Sequence, residues 1–183
     1  VEEALARLDE TALEYKLDGA RIQVHKGGEA VRIFTRQLQD VTERLPEIVE
    51  WAQALPAREA VSDGEALALR PDGRPQPFQG TMRRLGRSKE VEALRQEIPL
   101  TPFMFDLLYL DGEPLVDRPY HERSAQLLAT ASSAAVPHLL TNEINEAQEF
   151  FQRALAAGHE GIMAKSLAAP YRAGQRGAHW LKV

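Results

Sequence analysis

One long, almost entirely apolar run sets the strongest limit on how this chain can fold. It covers residues 103–110, Phe-Met-Phe-Asp-Leu-Leu-Tyr-Leu, follows Pro99 and Pro102, and ends at the turn signal Asp111-Gly112. A short apolar run bounded by turn-forming residues is typical of a strand that is buried on both faces. We therefore predict a central strand here, with a sheet built around it.

A second pattern predicts a β-hairpin. Apolar and polar residues alternate through residues 20–35, and Lys26-Gly27-Gly28-Glu29 supplies a turn in the middle. Further strands are predicted at residues 60–69, interrupted by Asp63-Gly64, and at residues 161–164 and 180–183.

Helices are predicted between and after these strands. Asp40 or Thr42 can cap a helix that has Pro46 in its first turn and ends near Leu55-Pro56. Further helices are predicted after Phe78, at residues 90–97, from Pro119 to Thr130, and from an Asn145 cap to Gly158. Because the strands form hairpins and the helices are segregated from them, the pattern predicts an α+β fold and not a doubly wound sheet.

Composition narrows the classes of function. The 183 residues, 44% of them hydrophobic, can bury the core of one domain, and no apolar run is long enough to cross a bilayer. We therefore expect a cytoplasmic protein. With no cysteine, carboxylates and the five histidines are the possible metal ligands. A formal charge of -5 limits any nucleic-acid binding to a local basic surface, and the cluster Arg83, Arg84, Arg87 and Lys89 is either such a surface or a solvated helix face.

The chemistry-bearing feature is Lys16, in the run Glu14-Tyr15-Lys16-Leu17-Asp18-Gly19-Ala20-Arg21. A lysine acts as a nucleophile only where desolvation or nearby positive charge destabilises its ammonium. Arg21 is a candidate for that charge. Taken alone, Lys-x-Asp-Gly also fits a solvated lysine at the end of a hairpin strand.

Several separated segments, taken together, resemble the nucleotidyltransferase (adenylation) domain of ATP-dependent DNA ligases. The resemblance covers nearly the whole chain, and its strength lies in the order and spacing of the segments. They are Lys16-Leu-Asp-Gly-Ala-Arg21, residues 34–42, Asp63-Gly-Glu65, Phe105-Asp-Leu-Leu-Tyr-Leu-Asp-Gly112, Glu160-Gly-Ile-Met-Ala-Lys165 and Trp180-Leu-Lys182.

The resemblance implies roles for basic residues around the phosphates. Lys16 would attack the α-phosphorus of ATP and hold AMP as a phosphoramide. Lys165 and Lys182 would neutralise the α-phosphate and, with Arg21, would favour the unprotonated Lys16 amine. Arg21 would also bind the sugar or phosphate region. Arg36 would contact the terminal phosphate or the 5′-phosphate of DNA.

The resemblance also implies which residues would contact the base, the sugar and a metal ion. Phe105 would stack on adenine, although Phe103 competes for the same face, and Glu14 lies where the family recognises adenine. Glu65 would accept a hydrogen bond from the ribose hydroxyl and, with Glu160, would hold Mg²⁺ or Mn²⁺ near the phosphates. Relatives carry a basic loop at the position of Arg176. His179 is read as structural or exposed.

The expected fold is a nucleotidyltransferase (ATP-grasp-like) fold of two antiparallel-rich sheets flanked by helices, with the nucleotide in the groove between them. The expected partners are ATP and nicked double-stranded DNA, bound by a monomer that is nucleoid-associated if bacterial or archaeal. Residues 1–183 look like an excised adenylation domain without the OB-fold and N-terminal DNA-binding domains of relatives. On that reading, the domain binds nucleotide but adenylates itself slowly.

Three other readings remain open. An RNA ligase or a messenger RNA capping enzyme would use the same lysine chemistry on RNA or with GTP. A non-catalytic nucleotide sensor or DNA-end scaffold would keep the pocket without turnover.

Overall fold

Two antiparallel sheets form the frame of the protein in a computed structural model that describes residues 1–8, 10–174 and 179–183. In chain order, the strands are β1 (Thr11–Tyr15), β2 (Ala20–Gly27), β3 (Ala30–Thr35), β4 (Glu59–Ala68), β5 (Leu100–Leu110), β6 (Glu113–Pro114), β7 (His138–Leu140), β8 (Ile162–Ser166) and β9 (Trp180–Lys182). The mixture of antiparallel sheets and separate helices confirms the predicted α+β class.

The helices lie mostly between strands that are distant in sequence. They are α1 (Glu2–Arg7), α2 (Pro46–Gln53), α3 (Phe78–Leu85), α4 (Val91–Glu97), α5 (Tyr120–Ala131) and α6 (Ile144–Ala156), with short 3-10 turns at Thr42–Arg44 and Ser132–Ala134. Within the described part of the chain, no helix has the length and apolar character needed to span a membrane.

The larger sheet has the strand order β3-β2-β4-β5-β6, with every neighbouring pair antiparallel. The predicted hairpin is confirmed as β2 and β3, and the predicted apolar strand is the second part of β5. Ile22 and Ile33 of the hairpin are fully buried and belong to one core cluster with Ile48 of α2. The alternation seen in the sequence thus places one face of the hairpin against a helix.

The sequence predicted a strand interrupted at Asp63-Gly64, but β4 continues through these two residues. The pairing register with β5 shifts on both sides of Ser62-Asp63, which marks a bulge or irregularity. A Cβ atom added at Gly64 would lie 2.2 Å from the Phe103 carbonyl oxygen. Glycine therefore lets the two strands approach closely, and the neighbouring acidic residues keep their places on a continuous strand.

The smaller sheet has the order β7-β1-β8-β9, again antiparallel throughout. Leu13 of β1 and Ile162 of β8 share a core cluster with Phe150 of α6. The strands predicted at residues 161–164 and 180–183 are confirmed as β8 and β9. Strands β1 and β7 were not predicted, because each is short and lacks alternation.

A third cluster of apolar residues joins elements of the two sheets. Leu67 of β4 and Phe105 of β5 pack with Leu17 and Val136, which lie in segments that connect to β1 and β7. The two sheets therefore have a shared apolar contact in addition to their separate cores.

Two of the predicted helix caps are wrong. Helix α2 begins at Pro46 behind Leu45, without a side-chain cap, while the Asp40 carboxylate accepts a 3.0 Å bond from the Thr42 N–H. Asn145 lies inside α6, which begins at Ile144. In the first case, Pro46 sets the start of the helix because it lacks the N–H that a cap would satisfy.

The basic cluster at residues 83–89 is split by burial. Arg83, Arg87 and Lys89 are exposed, but the Arg84 side chain is fully buried. Its Nη2 atom donates to both oxygens of Glu47 at 3.1 Å, and its Nη1 atom donates to the Arg44 carbonyl at 2.5 Å. Arg84 is therefore part of the packing between α3 and α2, and only its neighbours could form a basic surface.

A fully buried ion pair joins β5 to α5. The Arg123 Nε and Nη2 atoms donate to Asp106 at 2.8 and 3.1 Å, and both side chains have no exposed surface. Arg123 Nη1 also donates to the carbonyl oxygens of Arg118 and Ala169. Each side-chain nitrogen of Arg123 and each carboxylate oxygen of Asp106 therefore has a hydrogen-bond partner.

We predict that Arg123→Ala lowers the free energy of unfolding by about 3–5 kcal/mol, because it leaves the Asp106 carboxylate buried without its partner. Urea unfolding measures the change. Arg118→Ala is the matched control, since Arg118 pairs with Glu113 and Glu122 at the surface and should lose less than about 1 kcal/mol. Equal losses in the two variants would contradict the prediction.

Candidate active site

Lys16 lies directly after β1, where the chain leaves the smaller sheet for the larger one. Its N–H donates to the Gly161 carbonyl at 2.9 Å, and its own carbonyl accepts from the Glu160 N–H at 3.3 Å. The Lys16 ammonium forms an ion pair with the Glu160 carboxylate, and 23% of the Lys16 side chain is exposed. The backbone thus fixes Lys16 and Glu160 side by side.

A cavity of about 610 Å³ opens in front of Lys16 and is lined by residues from both sheets. This volume is within the range of roughly 300–1,000 Å³ that is usual for ligand sites. Eight of the nine predicted site residues line it, namely Glu14, Lys16, Arg21, Arg36, Glu65, Phe105, Lys165 and Lys182. The ninth, Glu160, is held there through its pair with Lys16.

The cavity is basic although the chain as a whole is acidic. Six basic and three acidic side chains line it, whereas the formal charge of the chain is -5. The basic residue that sequence reasoning missed is Arg44. Clefts lined by one sign of charge concentrate ligands of the opposite sign, so this cavity suits an anion.

Arg21 is held by a partner that the sequence analysis did not identify. Its Nε and Nη2 atoms donate to the two oxygens of Asp63 at 2.8 and 2.6 Å. Burial opposes the charged form of Arg21, but the hydrogen bonds and charge of Asp63 outweigh it and raise the pKa of the guanidinium. The expectation that Arg21 serves Lys16 as a free neighbouring charge therefore needs correction, because much of that charge is compensated by Asp63.

The Glu65 carboxylate accepts a hydrogen bond from the Gly19 N–H at 2.8 Å. A Cβ atom at Gly19 would lie 2.6 Å from the Ala66 carbonyl oxygen, so only glycine brings this N–H so close. Burial raises the pKa of the Glu65 carboxyl from 4.5 to about 7, although the Gly19 bond and two nearby basic side chains act in the opposite direction. Near neutral pH, the carboxyl is thus present in both the protonated and the ionised form.

Lys165 is a buried cation among aromatic rings. Its Nζ atom lies 4.2, 4.6 and 5.0 Å from the ring centroids of Trp180, Phe105 and Tyr120, respectively. Its charge partner is Glu14, with Nζ 2.5 Å from Oε2, and Nζ makes no hydrogen bond to any other residue that the structure describes. Its N–H groups can therefore still serve a ligand in the cavity.

Glu14, the charge partner of Lys165, is almost fully buried. The Tyr120 hydroxyl donates to its Oε1 atom, and burial raises the pKa of the Glu14 carboxyl even though Lys165 lowers it. Tyr120 was not singled out from the sequence, since it belongs to α5 and lies far from Glu14 along the chain.

Phe105, and not Phe103, lines the cavity. Its ring is in edge contact with Trp180, with centroids 6.1 Å apart, and the Arg21 guanidinium lies 4.7 Å from its centroid. Phe105 therefore combines the buried position of a core residue with a place in the cavity wall.

The remaining predicted residues lie at the rim of the site. Arg36 and Lys182 are exposed, and neither makes a hydrogen bond or ion pair with residues 1–8, 10–174 or 179–183. His179 is exposed, as expected. Arg176 lies outside the described residues.

The possible metal ligands are few. Among the residues with described positions, no group of three or more His, Cys, Asp or Glu side chains could enclose a metal ion. Glu160 is 46% exposed beside the cavity, and Glu65 lines it. One or two carboxylates of this kind fit Mg²⁺, which usually takes its other ligands from water and substrate phosphates.

We predict that Glu65→Gln changes how folding stability depends on pH. Because the folded-state pKa is about 7 and the ordinary value is 4.5, the folded wild type binds this proton more tightly than the unfolded chain does. The stabilisation of the fold by this proton is complete below the unfolded-state pKa of 4.5, and it is lost as the pH rises through the folded-state pKa of about 7. The variant lacks this titration, so wild-type stability relative to the variant should fall across that interval.

Urea unfolding of both proteins, at pH values on either side of the interval, measures this difference. A difference that stays constant with pH would contradict the assignment of the raised pKa to Glu65.

Solved structures with this fold include mycobacterial ligases. The ligase domain of M. tuberculosis LigD aligns with a TM-score of 0.75 and 29% identity, over 97% of this chain and 56% of that chain. A mycobacterial DNA ligase D complexed with ATP and MES aligns with a TM-score of 0.71 and 27% identity, over 95% of this chain and 54% of that one. These neighbours confirm the predicted fold.

Curated sequences agree. A probable DNA ligase of Anaeromyxobacter sp. (strain Fw109-5) is 56% identical over the whole of this chain, and DNA ligase B of Mycobacterium tuberculosis (strain CDC 1551 / Oshkosh) is 52% identical. The chain spans 36% of the length of each of these relatives. The profile of the ATP dependent DNA ligase domain matches residues 1–183. The chain therefore belongs to the ATP-dependent DNA ligase domain family.

Proposed function

We propose that this chain performs the adenylation chemistry of an ATP-dependent DNA ligase. The Lys16 nitrogen attacks the α-phosphorus of ATP, the bond to the β-phosphate oxygen breaks, and pyrophosphate leaves. A 5′-phosphate oxygen of a DNA nick then attacks the lysyl-AMP phosphorus and releases Lys16. Finally, the 3′-hydroxyl attacks the activated 5′-phosphate, AMP leaves and the strand is closed. The observation that supports this most directly is the position of Lys16 at a basic cavity in a chain of negative net charge.

The described contacts suit Lys165 and Lys182 to the phosphates. Lys165 is buried, so its charge acts in a weakly screened environment, and its pair with Glu14 leaves some of its N–H groups for a phosphate. Lys182 is exposed at the rim without a carboxylate partner in the described chain. Together they can offset the negative charge that builds up on the α-phosphate during attack.

The wall around Phe105 suits the nucleoside. Phe105 offers an aromatic face for adenine, and the buried Glu14 lies beside it through their common contact with Lys165. Glu65 accepts hydrogen bonds from the ribose hydroxyl in its ionised form. Arg21 contributes the N–H groups that Asp63 does not occupy.

Lys16 must leave its ion pair and lose a proton before it can attack. Glu160, and with it Glu65, would hold a Mg²⁺ ion whose charge supports the phosphates. Separation of the Lys16–Glu160 pair would free the Lys16 amine for the phosphorus. The pair seen between Lys16 and Glu160 is then the resting arrangement of the site.

Nicked duplex DNA is the proposed second substrate, bound by a monomer that works at the chromosome. Arg36 and Lys182 at the rim, and Arg83, Arg87 and Lys89 near α3, are exposed cations that can contact phosphates. Such contacts are local, which is what an acidic chain requires.

We predict that ATP labelled at the α-phosphate transfers its label to the chain, and that Lys16→Ala abolishes the transfer because it removes the nucleophile. Denaturing electrophoresis and intact-mass measurement after a long incubation detect the bound adenylate. Lys89→Ala, at an exposed lysine away from the cavity, is the control and should label like the wild type.

The same assay separates the alternatives. Labelling by GTP in place of ATP would favour a capping enzyme, and sealing of nicked RNA in preference to DNA would favour an RNA ligase. A folded chain that takes up no label from either nucleotide would favour the non-catalytic sensor or DNA-end scaffold.

We further predict that chelation with EDTA stops the labelling and that added Mg²⁺ restores it, because Glu160 and Glu65 repel the phosphates unless a cation lies between them. Thermal unfolding in EDTA should be unchanged, since the residues with described positions form no enclosed metal site. Full labelling in EDTA would contradict the role given to Glu160.

A further inference from the structure

The segment after β8 crosses from the smaller sheet to the elements of the larger one. We call residues 167–171 the bridging segment. Its backbone is held by hydrogen bonds from His121 N–H to Leu167 O at 3.0 Å, from Arg123 Nη1 to Ala169 O at 3.0 Å, and from Tyr171 N–H to Val116 O at 2.8 Å. The Leu167 N–H also donates to the Glu10 carbonyl at 3.0 Å. The end of this segment is therefore fixed beside the larger sheet.

At that end, Tyr171 reaches the partner of Arg21. The Tyr171 hydroxyl donates to Asp63 Oδ2 at 2.7 Å. Only 3% of the Asp63 side chain is exposed. Burial, together with the charge of Asp63, raises the pKa of Tyr171, so its hydroxyl remains a donor at neutral pH.

Asp63 in turn determines where the free donors of Arg21 point. A guanidinium has five N–H groups, and the bidentate pair with Asp63 uses two of them. The others remain available on a side chain that is 38% exposed and lines the cavity. Because the pair is bidentate, a rotation of the Asp63 carboxylate would turn the guanidinium with it.

We propose that Tyr171 is a positioning residue of the nucleotide site, which fixes the Asp63 carboxylate and through it the Arg21 guanidinium. This inference rests on the proposed function, because the ligand that Arg21 meets is taken to be the sugar or phosphate of AMP. Lys16 is held separately, by backbone bonds to residues 160–161. Loss of the Tyr171 hydroxyl therefore affects the binding of the nucleotide and leaves the attacking group in place.

The ring of Tyr171 has a second contact that the experiment must preserve. It lies edge-on to Trp180, with ring centroids 6.4 Å apart. Tyr171→Phe keeps this contact and removes only the hydroxyl. Tyr109→Phe is a matched control, since the Tyr109 hydroxyl donates to Glu59 at 3.5 Å and neither residue lines the cavity.

The experiment measures AMP binding by calorimetry, after pyrophosphate has removed any bound adenylate, and then the labelling rate at saturating ATP. Tyr171→Phe should weaken AMP binding roughly 5- to 10-fold, which is less than the full loss of a hydrogen bond to a charged group because the hydroxyl acts on the nucleotide only through Asp63 and Arg21. The saturated labelling rate should stay within about twofold of the wild type. The Tyr109→Phe protein should match the wild type in both measurements.

A double-mutant cycle with Arg21→Ala tests the route of the effect. If Tyr171 acts through Arg21, the hydroxyl should matter little once Arg21 is gone, and the two losses should not add. Asp63→Asn is a second variant for the case in which Tyr171→Phe does not fold, and it should weaken AMP binding in the same way.

Unchanged AMP binding in Tyr171→Phe, fully additive losses in the cycle, or a reduced saturated rate with unchanged binding would each overturn the positioning role. In those cases, a wild type that binds AMP and takes up label would still uphold the proposed function. A wild type that neither binds AMP nor takes up label would overturn both.

Discussion

The central constraint on this site is that a cation between two sheets needs a carboxylate partner. Removing a charge from water costs several kcal/mol unless an opposite charge and hydrogen bonds compensate it. Three cavity cations meet this requirement, in the pairs Lys16–Glu160, Arg21–Asp63 and Lys165–Glu14. The pairs differ in burial, and that difference separates their roles.

The most buried pair is the least replaceable. Lys165 and Glu14 are nearly inaccessible, so in the proposed function a nucleotide would meet the Lys165 cation with Glu14 still in place. The pair between Lys16 and Glu160 is partly exposed, so it is the pair that a ligand entering the cavity could separate. The exposure of the Arg21–Asp63 pair is intermediate, since the Asp63 side chain is buried and the Arg21 side chain is 38% exposed. The site thus combines fixed charges with one pair that can open.

The two sheets supply different parts of the site, and their junction is built from ordinary structural contacts. Lys16, Lys165 and Lys182 belong to the smaller sheet or follow it, whereas Arg21 and Glu65 belong to the larger one. An apolar cluster and the bridging segment, whose Ala169 carbonyl accepts a hydrogen bond from Arg123, hold the halves together. The shape of the cavity therefore depends in part on residues that do not line it, such as Leu67 and Val136.

The sequence by itself determined the strands with clear periodicity and the identity of most of the charged residues that line the cavity. The hairpin at residues 20–35 and the strand at residues 103–110 follow from local patterns, and the order of the family segments pointed to Lys16, Glu65 and Phe105. Only the tertiary structure decided which charges meet. Asp63 and Tyr171 are 108 positions apart, and Glu14 and Tyr120 are 106 apart. No local pattern encodes such pairs or the burial of Arg84. They arise only when distant strands and helices pack together, because each polar group that is buried there must have a hydrogen-bond partner.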